Sequence, residues 1–152
     1  MRIQKLSHST YQHLYHLVWG TKYRRKYLKP YVKEELLAWL NKEFKKYPTL
    51  RLDVANVDED HIHLQVEIPP NVLVSRVVQI LKSGSSRMLI KKFPFIRRMY
   101  VENSVWSVGY FSSTVGLNEE IVRKYIEQQG AHEYPEETSF GVLMMPGGKP
   151  RS

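Results

Sequence analysis

Four side chains have types and spacing that suit chemistry: His61 and His63, two apart, and Tyr125 and Gln129, four apart. Along an extended strand, residues two apart point to the same side, so His61, His63, Gln65 and Glu67 share one face and Ile62, Leu64, Val66 and Ile68 the other. Neutral imidazoles ligate divalent metals, and a His-x-His pair on one strand face can supply two ligands from a rigid scaffold; the same pattern also fits an ordinary solvated polar face. A phenolate can attack an electrophile covalently if another group steadies the developing charge. A divalent metal held by two histidines could do that for a phosphodiester. On an amphipathic helix a tyrosine is usually a core or rim aromatic, so Tyr125 acquires meaning only together with the histidines.

The elements that must carry these groups are readable from periodicity. Residues 11–19 are rich in aromatic and β-branched side chains and predict a first strand. Over residues 31–47, Val32, Leu36, Leu37, Leu40, Phe44 and Tyr47 recur at helical spacing, with Pro30 at the start and Pro48 beyond the end. Leu50, Leu52 and Val54 alternate with Arg51 and Asp53, and after the acidic turn Asp58-Glu59-Asp60 the residues 61–68 alternate again, which predicts an antiparallel hairpin. Val74, Val77, Val78 and Leu81 suit a second helix, which Ser83-Gly84-Ser85-Ser86 is expected to interrupt before a basic helical piece over residues 87–93. Residues 105–115 predict a further strand. Asn118 as N-cap, Glu119 and Glu120 in the first turn and Gly130 past the end frame a last helix, which puts Tyr125 and Gln129 on one face.

The order strand, helix, strand, strand, helix, strand is that of an α+β, ferredoxin-like split βαβ antiparallel sheet with helices on one face, here followed by an additional C-terminal helix that carries the tyrosine. A catalytic domain over residues 1–130 and an irregular tail over residues 131–152 are expected, a length suited to one hydrophobic core.

With no cysteine, neither disulfides nor thiolate zinc sites are available. No window has the apolar length to cross a bilayer, and the N-terminus lacks a signal-like apolar run, so a cytoplasmic protein without a membrane partner is expected. Lys and Arg number 23 against 15 Asp and Glu, a formal charge of +8 that favours polyanion partners. Basic and aromatic residues interleave over residues 19–27 and 91–100, a mixture suited to phosphate contact and base stacking on single strands. The cations nominated for nucleic-acid contact are Lys22, Arg24, Arg25, Lys82, Arg87, Lys91 and Lys92.

With these residues placed, the chain resembles the HUH superfamily and, within it, the TnpA-type single-tyrosine transposases of the smallest bacterial and archaeal insertion sequences. The resemblance covers nearly all of residues 11–130 and rests on an ordered set of segments: YHLVWGTKYRR, DEDHIHLQVEIPP, LKSGSSRML, VWSVGYFSSTVG and VRKYIEQQ. It implies that His61 and His63 form the histidine motif, that Tyr125 is the nucleophile, and that Gln129 is a third ligand to Mg2+ or Mn2+. It further implies attack on single-stranded DNA that leaves a 5′-phosphotyrosine and a free 3′-hydroxyl, hairpins at the element ends as the bound DNA, and a homodimer. The segment Val115-Gly116-Leu117 is compatible with exchange of the tyrosine helix between subunits. Gly20 and Gln65 depart from the residues common in such proteins, without touching the proposed catalytic set.

Three other readings compete. A catalytically silent hairpin-DNA-binding protein of the same fold is disfavoured by His61, His63, Tyr125 and Gln129 occurring together, whereas a domesticated one acting on palindromes in a host genome would use the same chemistry. A plasmid or phage replication initiator would use the same chemistry but usually carries further segments. A ferredoxin-like RNA-binding module would place aromatics on the two central strands, where this sequence has histidines and Gln65.

Overall fold

The computed structural model describes residues 4–6, 9–11, 13–102, 104–114, 124–127 and 142–143. A short hairpin, β1 (Gln4–Leu6) with β2 (Ser9–Tyr11), precedes β3 (Leu14–Gly20), α1 (Pro30–Phe44), β4 (Arg51–Val57), β5 (His61–Glu67), α2 (Val74–Lys92), α3 (Pro94–Met99), β6 (Tyr110–Ser113) and β7 (Val142–Leu143). The main sheet runs β4-β5-β3-β6-β7, and every pairing in it is antiparallel. Its first four strands have the split βαβ order expected from the sequence. The two strands joined through α1, β3 and β4, are separated by β5, which inserts between them.

The layers follow from strand alternation. Leu17 and Trp19 of β3 and Ile62, Leu64 and Val66 of β5 face Val32, Leu36, Leu40 and Phe44 of α1 and Val77, Val78, Leu81 and Leu89 of α2 in one buried cluster. Proline at the first position of α1 and of α3 starts each helix where a backbone N–H has no partner to lose. The other sheet face stays free of α1 and α2, and it carries the polar residues of β5.

Several local expectations are corrected. The first strand begins at Leu14, and Tyr11 belongs to the separate β1–β2 hairpin. Ser83-Gly84-Ser85-Ser86 does not interrupt α2, which is continuous over Val74–Lys92. Ser83 and Ser85 donate their hydroxyls to the carbonyls of Gln79 and Leu81 one turn back, at 2.7 and 2.6 Å, so their polarity is absorbed by the helix itself. A Cβ on Gly84 would lie 2.5 Å from Cζ2 of Trp39 in α1, so the glycine serves close helix approach rather than a break. Small residues here also admit the loop before β6: Ser85 Oγ accepts from the Trp106 indole at 2.9 Å, and Ser86 Oγ from the Val105 amide at 3.2 Å.

The strand expected over residues 105–115 shrinks to Tyr110–Ser113, with Trp106 held by an isolated bridge to Thr21. In β4, Asp53 is an extra residue between Leu52, opposite Val66, and Val54, opposite Gln65. This bulge reverses the alternation: Leu52, Ala55 and Val57 pack on the core, while Val54 is 37% exposed. The tail expected to be irregular contributes β7, whose Val142 and Leu143 pair with Phe111 and Tyr110. Of the last helix, residues 124–127 are described and are helical. Asn118, Glu119, Glu120, Gln129, Gly130 and Val115-Gly116-Leu117 lie outside the described residues. Among the described residues, no helix is long and apolar enough to cross a membrane.

Candidate active site

Strand register assembles the site on the open face. His61 lies opposite Gly20 and His63 opposite Val18 of β3, while Asn56 of β4 flanks His63 on the other side. Gly20 presents no side chain beside His61. Val18 is also opposite Phe111 of β6, so three strands contribute to one surface around His63.

His61 is bracketed by the acidic turn that precedes it. Its Nδ1 lies 2.9 Å from Asp60 Oδ1, and its Nε2 lies 3.0 Å from Asp58 Oδ2. An ionised carboxylate can only accept, so the contact with Asp60 places a proton on Nδ1. The hydrogen bond from His61 holds the Asp60 carboxyl down at about 2, with Arg24 acting in the same direction and burial opposing both. Arg24 reaches Asp60 Oδ2 through Nε at 3.2 Å and Nη2 at 3.0 Å.

His63 has a buried Nε2 with no hydrogen-bond partner among the described residues. The same holds for Nδ1 of His16, two residues before Val18 on β3; the His16 ring centroid is 5.7 Å from that of His63. Burial lowers the pKa of both imidazoles, and for His63 the neighbouring His16 and His61 lower it further. Both rings are thus biased toward the neutral form, the one that offers a lone pair to a metal. An orphaned buried ring nitrogen two residues along the strand, on the same face, from a carboxylate-bound histidine is a donor set that fits a divalent cation. Gln129, the third ligand implied by the resemblance, lies outside the described residues. Among those described, no group of three or more His, Asp or Glu side chains is arranged to hold a metal.

Tyr125 comes to this same face. It is 2% exposed and forms a second buried cluster with Val18, Phe111 and Ile126, its ring centroid 6.0 Å from that of Phe111. Since Val18 pairs directly with His63, the tyrosine packs on the strand next to the histidine motif.

The cations nominated for nucleic-acid contact divide into two groups. Arg87 and Lys91 are exposed on α2 and form no ion pair among the described residues, whereas Lys92 on α2 and Arg25 are exposed but engaged. Lys22 is buried and pairs with Glu102, Lys92 pairs with Glu35, and Arg24 bonds Asp60 as described. Arg25 donates to the Met99 carbonyl and lies 5.1 Å from the centroid of the Tyr100 ring. Lys82 turns its amine inward to the carbonyls of Ser107 and Gly109, at 2.6 and 3.0 Å, and burial pulls its pKa down to about 7. Sequence reasoning overlooked His16, Asp58, Asp60 and the inward use of Arg24. The Asp58-Glu59-Asp60 run was its available signal, read there only as a turn.

The sequence model of the family described as Transposase IS200 like matches residues 9–129, which contain both histidines, Tyr125 and Gln129. The chain belongs to this family. It is an HUH-type single-tyrosine transposase, and its α+β sheet with helices on one face has that architecture. It is 32% identical over 126 residues to the transposase for insertion sequence element IS200 of Salmonella typhimurium, covering 83% of this chain and 82% of that protein. It is 30% identical over 120 residues to the ISDra2 transposase TnpA of Deinococcus radiodurans, covering 78% and 85%. A crystallised Deinococcus radiodurans protein assigned as a transposase is similar at a TM-score of 0.76 and 28% identity, over 83% of this chain and 97% of that one. A REP-associated tyrosine transposase bound to a REP hairpin shares the fold, with a TM-score of 0.52 and 12% identity over 84% and 73% of the two chains.

Proposed function

We propose that this transposase cleaves and rejoins single-stranded DNA through Tyr125, with His61, His63 and Gln129 as ligands to Mg2+ or Mn2+. The observation that carries this reading is the packing of Tyr125 on Val18, the residue paired with His63, so that nucleophile and imidazoles share one sheet face. The phenolic oxygen of Tyr125 bonds to phosphorus while the bond from phosphorus to the 3′-oxygen breaks. The phenol loses its proton and the departing 3′-oxygen gains one, leaving a 5′-phosphotyrosine and a 3′-hydroxyl. Attack by another 3′-hydroxyl on the phosphotyrosine reverses these bonds, so neither water nor a nucleotide cofactor is consumed. A bound divalent cation supplies charge stabilisation at the phosphate.

The chain's own residues do the rest. His61 donates Nδ1–H to Asp60, so Nε2 is the atom that would ligate, once it gives up its 3.0 Å contact with the exposed Asp58 carboxylate. The Nε2 of His63, which has no hydrogen-bond partner among the described residues, is the second donor. Because Tyr125 is 2% exposed, its helix must shift, or exchange with that of a second subunit, for DNA to reach the phenol. A homodimer acting on hairpins at the element ends in the cytoplasm is the assembly that the family resemblance supports. Arg87 and Lys91, exposed on α2, are the nominated cations best placed to meet phosphates.

The test is incubation with labelled hairpin-containing single strands and Mg2+ or Mn2+, read on denaturing gels. A metal-dependent covalent protein to DNA band that disappears in Tyr125→Phe is expected. A band that persists in Tyr125→Phe rejects the tyrosine assignment, and binding without any band favours the catalytically silent binder.

A further inference from the structure

The loop between β3 and α1 has a feature that DNA contact does not explain. Tyr23 and Arg24 are consecutive non-glycine residues with positive φ, 59° and 53°. Such conformations are costly for residues with a Cβ and persist only where the surroundings hold them. Here the surroundings do so: the Thr21 amide donates to the Asp60 carbonyl at 2.9 Å, the Leu28 amide to the Glu59 carbonyl at 3.2 Å, and Thr21 Oγ1 to the Arg25 carbonyl at 2.8 Å. The loop is thereby clamped onto the turn that carries Asp60.

The result is a division of one carboxylate. Asp60, 7% exposed, gives Oδ2 to Nε and Nη2 of Arg24 and Oδ1 to Nδ1 of His61. Two donors from a planar guanidinium converging on one oxygen stop the carboxylate from rotating, and the fixed carboxylate in turn sets the plane and tautomer of the imidazole. An arginine kept for phosphates would leave its guanidinium free; this one is committed to Asp60, its side chain 35% exposed, on a left-handed backbone.

We propose that Arg24 is a positioning residue of the metal site, acting through Asp60 to hold the His61 ring with Nε2 on the side of the exposed Asp58 carboxylate, where a cation would take it, and that it is not a primary DNA contact. This rests on the reading above that His61 is a metal ligand. Loss of a group that orients a metal-bound histidine lowers metal affinity by about 10- to 100-fold.

The full-length chain is titrated with Mn2+ alone, bound and free ion being separated by electron paramagnetic resonance, for wild type, Arg24→Ala, Arg24→Lys, Asp60→Asn and the Arg24→Ala/Asp60→Asn pair. Hairpin DNA affinity is measured in parallel at several salt concentrations with metal chelated. The expected result is Mn2+ affinity lowered about 10- to 100-fold in Arg24→Ala and in Asp60→Asn. The double variant is no weaker than the worse single one, because both act through the same histidine. Arg24→Lys, which keeps the charge but not the paired donors, falls between and serves if Arg24→Ala does not fold. DNA affinity and its salt slope stay at the wild-type values. Unchanged Mn2+ affinity with a salt slope reduced by about one overturns the proposal and returns Arg24 to the DNA surface. Absence of Mn2+ binding in the wild type itself overturns the metal reading, a failure visible before any variant is compared.

Discussion

Lys82 offers the sharpest test of how these cations are used. Its amine donates to the carbonyls of Ser107 and Gly109, and burial lowers its pKa from 10.5 to about 7. Below pH 7 the amine is charged in both folded and unfolded chains, and the folded chain bears the whole desolvation cost. Between about 7 and 10.5 the unfolded chain binds a proton that the folded one does not, so stability rises with pH. One proton corresponds to about 1.4 kcal/mol per pH unit, and integrating from pH 7 to pH 9 gives a gain of about 2 kcal/mol. The window is chosen for its neighbours. His16 and His63, whose pKa values are lowered, contribute stability that is present above 6.5 and lost only as pH falls. Tyr27, Tyr100 and Tyr110, whose pKa values are raised, contribute stability that is lost only as pH rises through 10.0 and beyond.

The assay is urea unfolding followed by tryptophan fluorescence at pH 7, 8 and 9 and constant ionic strength, in wild type and Lys82→Met. The substitution also unpairs two carbonyls, at about 1–3 kcal/mol each, so the pH slope rather than the absolute stability is the observable. The slope should vanish in Lys82→Met, and the salt dependence of DNA binding should be unchanged. A slope that survives the substitution, or is missing from the wild type, refutes the reasoning, and a weakened salt dependence puts Lys82 on the DNA after all.

Three further outcomes are expected. His63→Ala should abolish the metal-dependent DNA adduct and shift the melting temperature little, because Nε2 has no hydrogen bond to lose among the described residues; gross unfolding on circular dichroism would make the histidine structural. Gly84→Ala should destabilise in urea by about 1–2 kcal/mol, since the clash with Trp39 outweighs a helix-propensity gain of about 1 kcal/mol. In a Trp39→Leu background the same change should become neutral or stabilising, and destabilisation there would assign the cost elsewhere. Affinity for hairpin DNA should fall steeply and linearly on a logarithmic salt scale, and a flat dependence would rule out phosphate contacts as the main attraction.

The histidine strand was legible because period-2 alternation separates Ile62, Leu64 and Val66 from His61, His63 and Gln65 whatever the fold around it. Helix α1 was legible for the same reason at period 3.6. The continuous α2 was not: serine and glycine are read locally as breakers, yet here their hydroxyls bond within the helix and their small size admits Trp39 and Trp106. The bulge at Asp53 was equally hidden, since a single extra residue leaves no mark until the partner strand is known.

Local sequence alone therefore determined which residues could ligate or attack and which strand and helix carry them, because side-chain type and periodicity are properties of short segments. Tertiary structure decided which groups meet: that His16 lies beside His63, that Tyr125 lies on Val18, that Arg24 turns onto Asp60 and that Lys82 turns inward. Those facts depend on strand register and on loops pinned to distant backbone. A cation's sequence shows its charge, but the partners that come within about 3 Å of it exist only once the chain has folded.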